Sequence, residues 1–159
     1  MQIHDEVLGS NVRFDEPVKT LLREGRAVWS ISPEATVYDA IAQMAENHVG
    51  ALVVLSAGRL NGIVSERDYA RKVILMGRQS RDTRVHEIMS RSVVSITPET
   101  NVDECMRLMT SRLIRHLPVL DGERVVGMIS MRDLMKWIIN SHEQTIHQLE
   151  NYISGTYPG

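Results

Sequence analysis

A chain of 159 residues, 43% hydrophobic and 24% charged, has the size and make-up of one ordinary globular domain. A formal net charge of −2 gives no global attraction to nucleic acid or an anionic membrane, and no apolar run approaches the ~18 residues of a membrane span. A single cysteine cannot close an intramolecular disulfide, and the first residues carry no basic stretch followed by an apolar one, so a cytoplasmic location is expected.

After an N-terminal extension (1–17), Val18–Arg23 reads as a short helix. Val28–Ile31 is a β-branched run that stops at Pro33, where Pro-Glu is expected to open a helix capped by Ser32. Val37, Ile41 and Met44 give that helix one apolar stripe. Ala51–Leu55 and Leu60–Val64 read as a hairpin about a turn at Ala57-Gly58. Ser65 then caps a closing helix that starts at Glu66. A polar linker (77–84) follows.

The same series then returns. Val85–Met89 is the short helix, Val93–Ile96 the first strand, and Pro98 opens the next helix with Thr97 as its cap. Val102, Met106 and Met109 form its stripe. Leu117–Leu120 and Val125–Ile129 flank a turn at Asp121-Gly122, and Ser130 caps a helix running from Met131 to about Tyr152. Residues 154–159 read as a frayed tail. Shifted by 65 positions, 26–74 falls on 91–139 without a gap, with 17 identities in 49 positions. The units are 18–76 and 85–140, followed by a C-terminal extension (141–159). Each is marginal in size alone, so one fused core and a cleft between the units are expected. The class is α/β (α+β), two β-α-β-β-α repeats.

The closing motif carries the chemistry. Gly62-Ile-Val-Ser-Glu-Arg-Asp68 falls on Gly127-Met-Ile-Ser-Met-Arg-Asp133. A carboxylate in the first turn of a helix can accept both hydroxyls of a ribose diol, and ionised acceptors make the stronger bonds. The helix N-terminus favours the ionised form and tolerates a nearby phosphate. Ser65 and Ser130 can cap the helix and touch the sugar; Ser-x-x-Asp is equally the pattern of a capping box. Gly62 and Gly127 leave room for a second backbone.

Two copies of this unit, each ending Gly-φ-φ-Ser-x-x-Asp (φ apolar), together with Ile114-Arg-His-Leu-Pro-Val119, resemble a tandem pair of cystathionine-β-synthase (CBS) domains. The resemblance spans Val18–Ile139, with no catalytic domain attached, and is closest to the stand-alone bacterial signal-transduction type. It implies two pseudo-symmetric repeats packed sheet to sheet and a non-catalytic regulatory module. Two clefts would bind adenosine-containing ligands such as AMP, ADP, ATP, NAD or S-adenosylmethionine. A flat homodimer and an effector protein of unknown identity would complete the assembly. It places Arg115 and His116 on ligand phosphate, with Gly50 and Ala51 as their unlike counterparts, so that the Asp133 cleft favours AMP. Pseudo-symmetry brings Val49 and Gly50 to that cleft and Ile114 to the Asp68 cleft. Arg67 and Arg132, then Arg71 and Lys72, could face a diphosphate, as in NAD or ATP, and Trp29 and Val94 are candidate adenine walls. The other reading is a ligand-free dimeric scaffold acting through protein contacts.

Other signals are weaker. His142 and His147 are five apart, not the four of a zinc-protease helix. Cys105 has no basic neighbour to activate it. The run Arg67, Arg71, Lys72, Arg78, Arg81, Arg84 lacks the interleaved aromatics of a nucleic-acid surface.

Overall fold

The structure, a computed structural model, describes residues 13–22 and 28–153; most of the N-terminal extension, Arg23 and the tail after Ile153 lie outside the described residues. Strand β1 (Ser30–Ile31) pairs in parallel with β2 (Ala51–Ser56), which forms an antiparallel hairpin with β3 (Arg59–Ser65). Helix α1 (Val37–Asn47) connects β1 to β2, and α2 (Glu66–Tyr69) closes the unit, continuing as one π-helical turn (Ala70–Ile74). The second unit comprises α3 (Val85–Ile88), α4 (Val102–Arg112), the hairpin β4 (His116–Asp121) and β5 (Arg124–Ser130), and α5 (Met131–Ile153). Strand β3 lies against β5, so the two hairpins meet face to face.

Three expectations about the secondary-structure elements are corrected. The long helices begin four residues late, at Val37 and Val102, capped by Thr36 and Asn101. Each cap accepts the N3 amide, Asp39 at 3.1 Å and Glu104 at 2.8 Å. Ser32 and Thr97 instead stabilise the preceding turns, Ser32 accepting from Glu34 N at 3.2 Å and Thr97 N donating to Thr100 Oγ1 at 3.1 Å. Second, Val93–Ile96 is not a strand; only Ile96 bridges to Val119. In the first unit the Val53 amide donates to Trp29 O at 3.2 Å, whereas its counterpart is Pro118, which has no N–H to give. Third, the second hairpin turns at Gly122-Glu123, with Asp121 still in β4.

The closing helices differ in length for a local reason. Gly77, at φ 66°, ends the first; His142 stands at the equivalent position of the second and the helix continues.

Among the described residues the buried side chains form two clusters, not the one fused core expected. One cluster contains Val37, Met44, Leu52, Val54 and Val64, together with Val85, Ile88 and Met89 from α3. The other contains Val102, Met109, Leu117, Ile129 and Leu134, together with Val18 from the start of the chain. The short segment preceding each repeat therefore packs on the other repeat. Its backbone is tied there: Val18 N donates to Thr100 O at 2.8 Å and Val85 N to Ala35 O at 2.9 Å. The linker is docked as well, with buried Thr83 offering its carbonyl to Val37 N at 2.8 Å.

The paired glycines serve different neighbours. A Cβ on Gly62 would lie 2.7 Å from Ser90 O, because the chain after α3 adds to the edge of β3. A Cβ on Gly127 would meet the Leu22 side chain at 2.7 Å.

Candidate functional site

The two β-hairpins and the helices that close them wall one continuous cleft of about 1750 Å³. The candidate nucleotide-binding residues line it: Ser65, Arg67, Asp68, Ser130, Arg132 and Asp133 from the closing motifs, Val49, Gly50, Ile114 and Arg115 from the segments entering β2 and β4, His116 at the start of β4, and Trp29 and Val94. The two clefts expected are two halves of one space. Trp29 is 38% exposed and stands at its rim.

Both closing motifs are capping boxes. In the first, Asp68 N donates to Ser65 Oγ at 3.2 Å while Ser65 N and Ser65 Oγ donate to Asp68 Oδ2 at 2.9 and 3.0 Å. In the second, Asp133 N donates to Ser130 Oγ at 3.0 Å and Ser130 N to Asp133 Oδ2 at 2.8 Å. The capping role orients each carboxylate through one oxygen, and the other oxygen decides what else it can do. Asp68 Oδ1 lies 3.0 Å from Lys72 Nζ. For Asp133 Oδ1 there is no hydrogen bond or ion pair among the described residues.

Hydrogen bonds anchor the motifs to the segments opposite. Glu66 N donates to Gly50 O at 3.0 Å and Met131 N to Arg115 O at 2.8 Å, so the first residue of each closing helix is tied to the residue just ahead of the first strand of its hairpin. Residues from the two repeats also meet: the ring of His116 lies against the backbone of Gly50, where a Cβ would be 3.7 Å from its Nε2. Burial lowers the His116 pKa; the Asp133 charge opposes that and Arg115 adds to it. Arg67 reaches from the first closing helix to the second repeat, donating to Leu113 O at 3.1 Å. Leu113 and its counterpart His48 both end their helices in the left-handed region, at φ 54° and 53°, a conformation rare for residues with a side chain.

Most of the basic run is committed within the molecule. Arg78 pairs with Glu87 at 2.6 Å, Arg81 stacks 3.8 Å from the Tyr38 ring centroid, and Arg84 donates to Glu34 O at 3.0 Å. Lys72 does not hang free at the cleft mouth, since it also donates to Ile88 O at 2.8 Å. Arg71, Arg115 and Arg132 line the cleft with no partner for their guanidinium groups among the described residues. The sequence reading missed the Lys72–Asp68 pair, although its i, i+4 spacing announces it, and the carbonyl of Leu113, which no sequence pattern announces.

Burial pushes the Cys105 thiol up to about 11, so it packs as an unreactive apolar group. Among the described residues no group of three or more histidine, cysteine or acidic side chains could hold a metal ion, and no helix is long and apolar enough to cross a membrane.

Fold and site define a module of two paired repeats around one cleft, and comparison with known proteins identifies it. The CBS domain family matches residues 18–74 and 85–140, and the chain belongs to that family. The mitochondrial CBS domain-containing protein CBSX3 of Arabidopsis thaliana is 40% identical over 139 residues, 84% of this chain and 67% of that protein. A solved CBS-domain protein of Burkholderia ambifaria MC40-6, provisionally assigned to signal transduction, is 46% identical with a TM-score of 0.76, covering 79% of this chain and 95% of the other. The CBS domain protein PAE2072 of Pyrobaculum aerophilum, solved as a complex with AMP, is 25% identical with a TM-score of 0.67, covering 74% of this chain and 89% of the other. The chain thus carries a tandem pair of CBS domains, as these proteins do.

Proposed function

We propose that the chain is a non-catalytic sensor whose cleft binds an adenosine-containing ligand, AMP foremost, with NAD and ATP as further members of that class. One observation carries the reading: Asp133 is oriented toward the cleft by its capping box and keeps one carboxylate oxygen without an internal partner. A ribose diol is the chemistry that such an acceptor takes, and the AMP complex of the related Pyrobaculum protein shows a module of this family holding that nucleotide. Arg115, exposed and unpaired nearby, would grip the phosphate in two places. Val94 and Trp29 offer flat apolar surface for the base.

The proposal extends to assembly. Ile74, Leu75 and Met76 at the end of the first closing helix, and Met135 and Ile139 on the second, are 52–77% exposed. Ile74 and Ile139 are repeat equivalents, so the apolar surface follows the pseudo-twofold and suits a homodimer. Ligand binding would act by favouring one arrangement of repeats or subunits over another, to the extent of its differential affinity. A cytoplasmic setting belongs to the same proposal.

Thermal unfolding with AMP, ADP, ATP, NAD and S-adenosylmethionine tests the reading. A ligand at about 100 times its Kd adds roughly 2.7 kcal/mol, a rise of several degrees for a chain of this size. The rise should vanish in Asp133→Ala, and Arg115→Ala should weaken AMP about 10-fold or more while sparing adenosine. No rise with any ligand, in protein freed of carried-over nucleotide, favours a scaffold working through protein contacts alone.

A further inference from the structure

The two halves of the cleft differ one helical turn beyond the motif. Four residues after Asp68 stands Lys72; four residues after Asp133 stands Trp137. Lys72 Nζ lies 3.0 Å from Asp68 Oδ1 and donates to Ile88 O at 2.8 Å. Asp68 Oδ2 meanwhile takes two donors from Ser65, at 2.9 and 3.0 Å. Both oxygens are engaged, and the side chain keeps only 12% of its exposure. Trp137 does the opposite. It packs on the second core, edge-on to Phe14 with ring centroids 6.4 Å apart, and brings no cation back to Asp133.

We propose that Lys72 is a latch that closes the Asp68 half of the cleft to nucleosides, leaving each chain one ribose-binding carboxylate, Asp133. A carboxylate offers about four lone-pair positions, and three donors already converge on Asp68. A diol arriving there must first displace an ammonium that is held at two points, one of them a backbone carbonyl fixed in α3. Loss of that ammonium from Ile88 O removes a second bond that the ligand does not replace. Asp133 imposes no such displacement. Lys72 is therefore a specificity-determining residue that makes two similar motifs unequal. The latch rests on the adenosine reading above and refines it.

The test is calorimetric titration of the full chain, freed of carried-over nucleotide, with AMP. The wild type should bind one AMP per chain, and Asp133→Asn should lose it. Lys72→Met should bind two, returning to one in Lys72→Met with Asp68→Asn. Lys72→Gln, which removes the charge but keeps a polar head, provides a second route to the same gain if Lys72→Met perturbs the fold. Two AMP in the wild type, or one in both Lys72 variants with intact melting curves, overturns the latch and leaves the adenosine reading standing. No AMP or adenosine binding in any variant overturns both.

Discussion

His116 is the residue whose surroundings the sequence concealed most. The sequence placed it just ahead of a strand from Leu117, whereas the strand begins at His116 itself, and its contact with Gly50 depends on how the two repeats face each other. Because burial lowers its pKa below 6.5, the folded state resists a proton that the unfolded chain accepts. The unfolded state therefore binds more protons below pH 6.5, and stability falls as pH falls through that value toward the folded pKa. The denaturant midpoint of the wild type should drop between about pH 7.5 and about pH 5.5, and the drop should be smaller in His116→Gln. Equal drops would mean that His116 ionises as freely in the fold as outside it. The motif carboxylates were legible because the repeat presents the pattern twice; a single Ser-x-x-Asp is indistinguishable from an ordinary helix cap. The cap is present in both copies, and it consumes one oxygen and leaves the other to its neighbours.

Among the elements, the hairpins and closing helices were legible and the helix starts were not. Ser-Pro-Glu and Thr-Pro-Glu carry the marks of a helix N-terminus, yet a second cap follows four residues later at Thr36 and Asn101. The later cap wins because Val37 and Val102 are the first residues of the buried stripes. Thr36→Ala and Asn101→Ala should each lower the unfolding free energy by about 0.5–2 kcal/mol, and Ser32→Ala by less. Denaturant unfolding measures all three, and an equal cost for Ser32→Ala would place the working cap at the proline turn. The missing strand in the second repeat is the clearest case of one residue deciding an element. Pro118 stands where Val53 donates, and the parallel pairing shrinks to a single bridge.

At the scale of the molecule, the duplication was legible in the alignment of the chain with itself, but the exchange of short helices was not. A repeat read along the sequence is contiguous, whereas the packing unit takes α3 into the first core and Val18 into the second. The apolar surface on the closing helices belongs to this scale too. Ile139→Glu should halve the mass measured by sedimentation, and a mass unchanged in both Ile139→Glu and Leu75→Glu would place any dimer face elsewhere. The exchange of short helices also bears on how the protein is made. Translation runs from the N-terminus, and domains generally fold in that order. The core around Leu52 has all its parts once Met89 has left the ribosome. The core around Leu117 cannot close until Leu134 appears, although Val18 is made before every other residue of that core. One half of the molecule is thus completed first and, until the other half is made, carries an apolar segment that belongs to its neighbour.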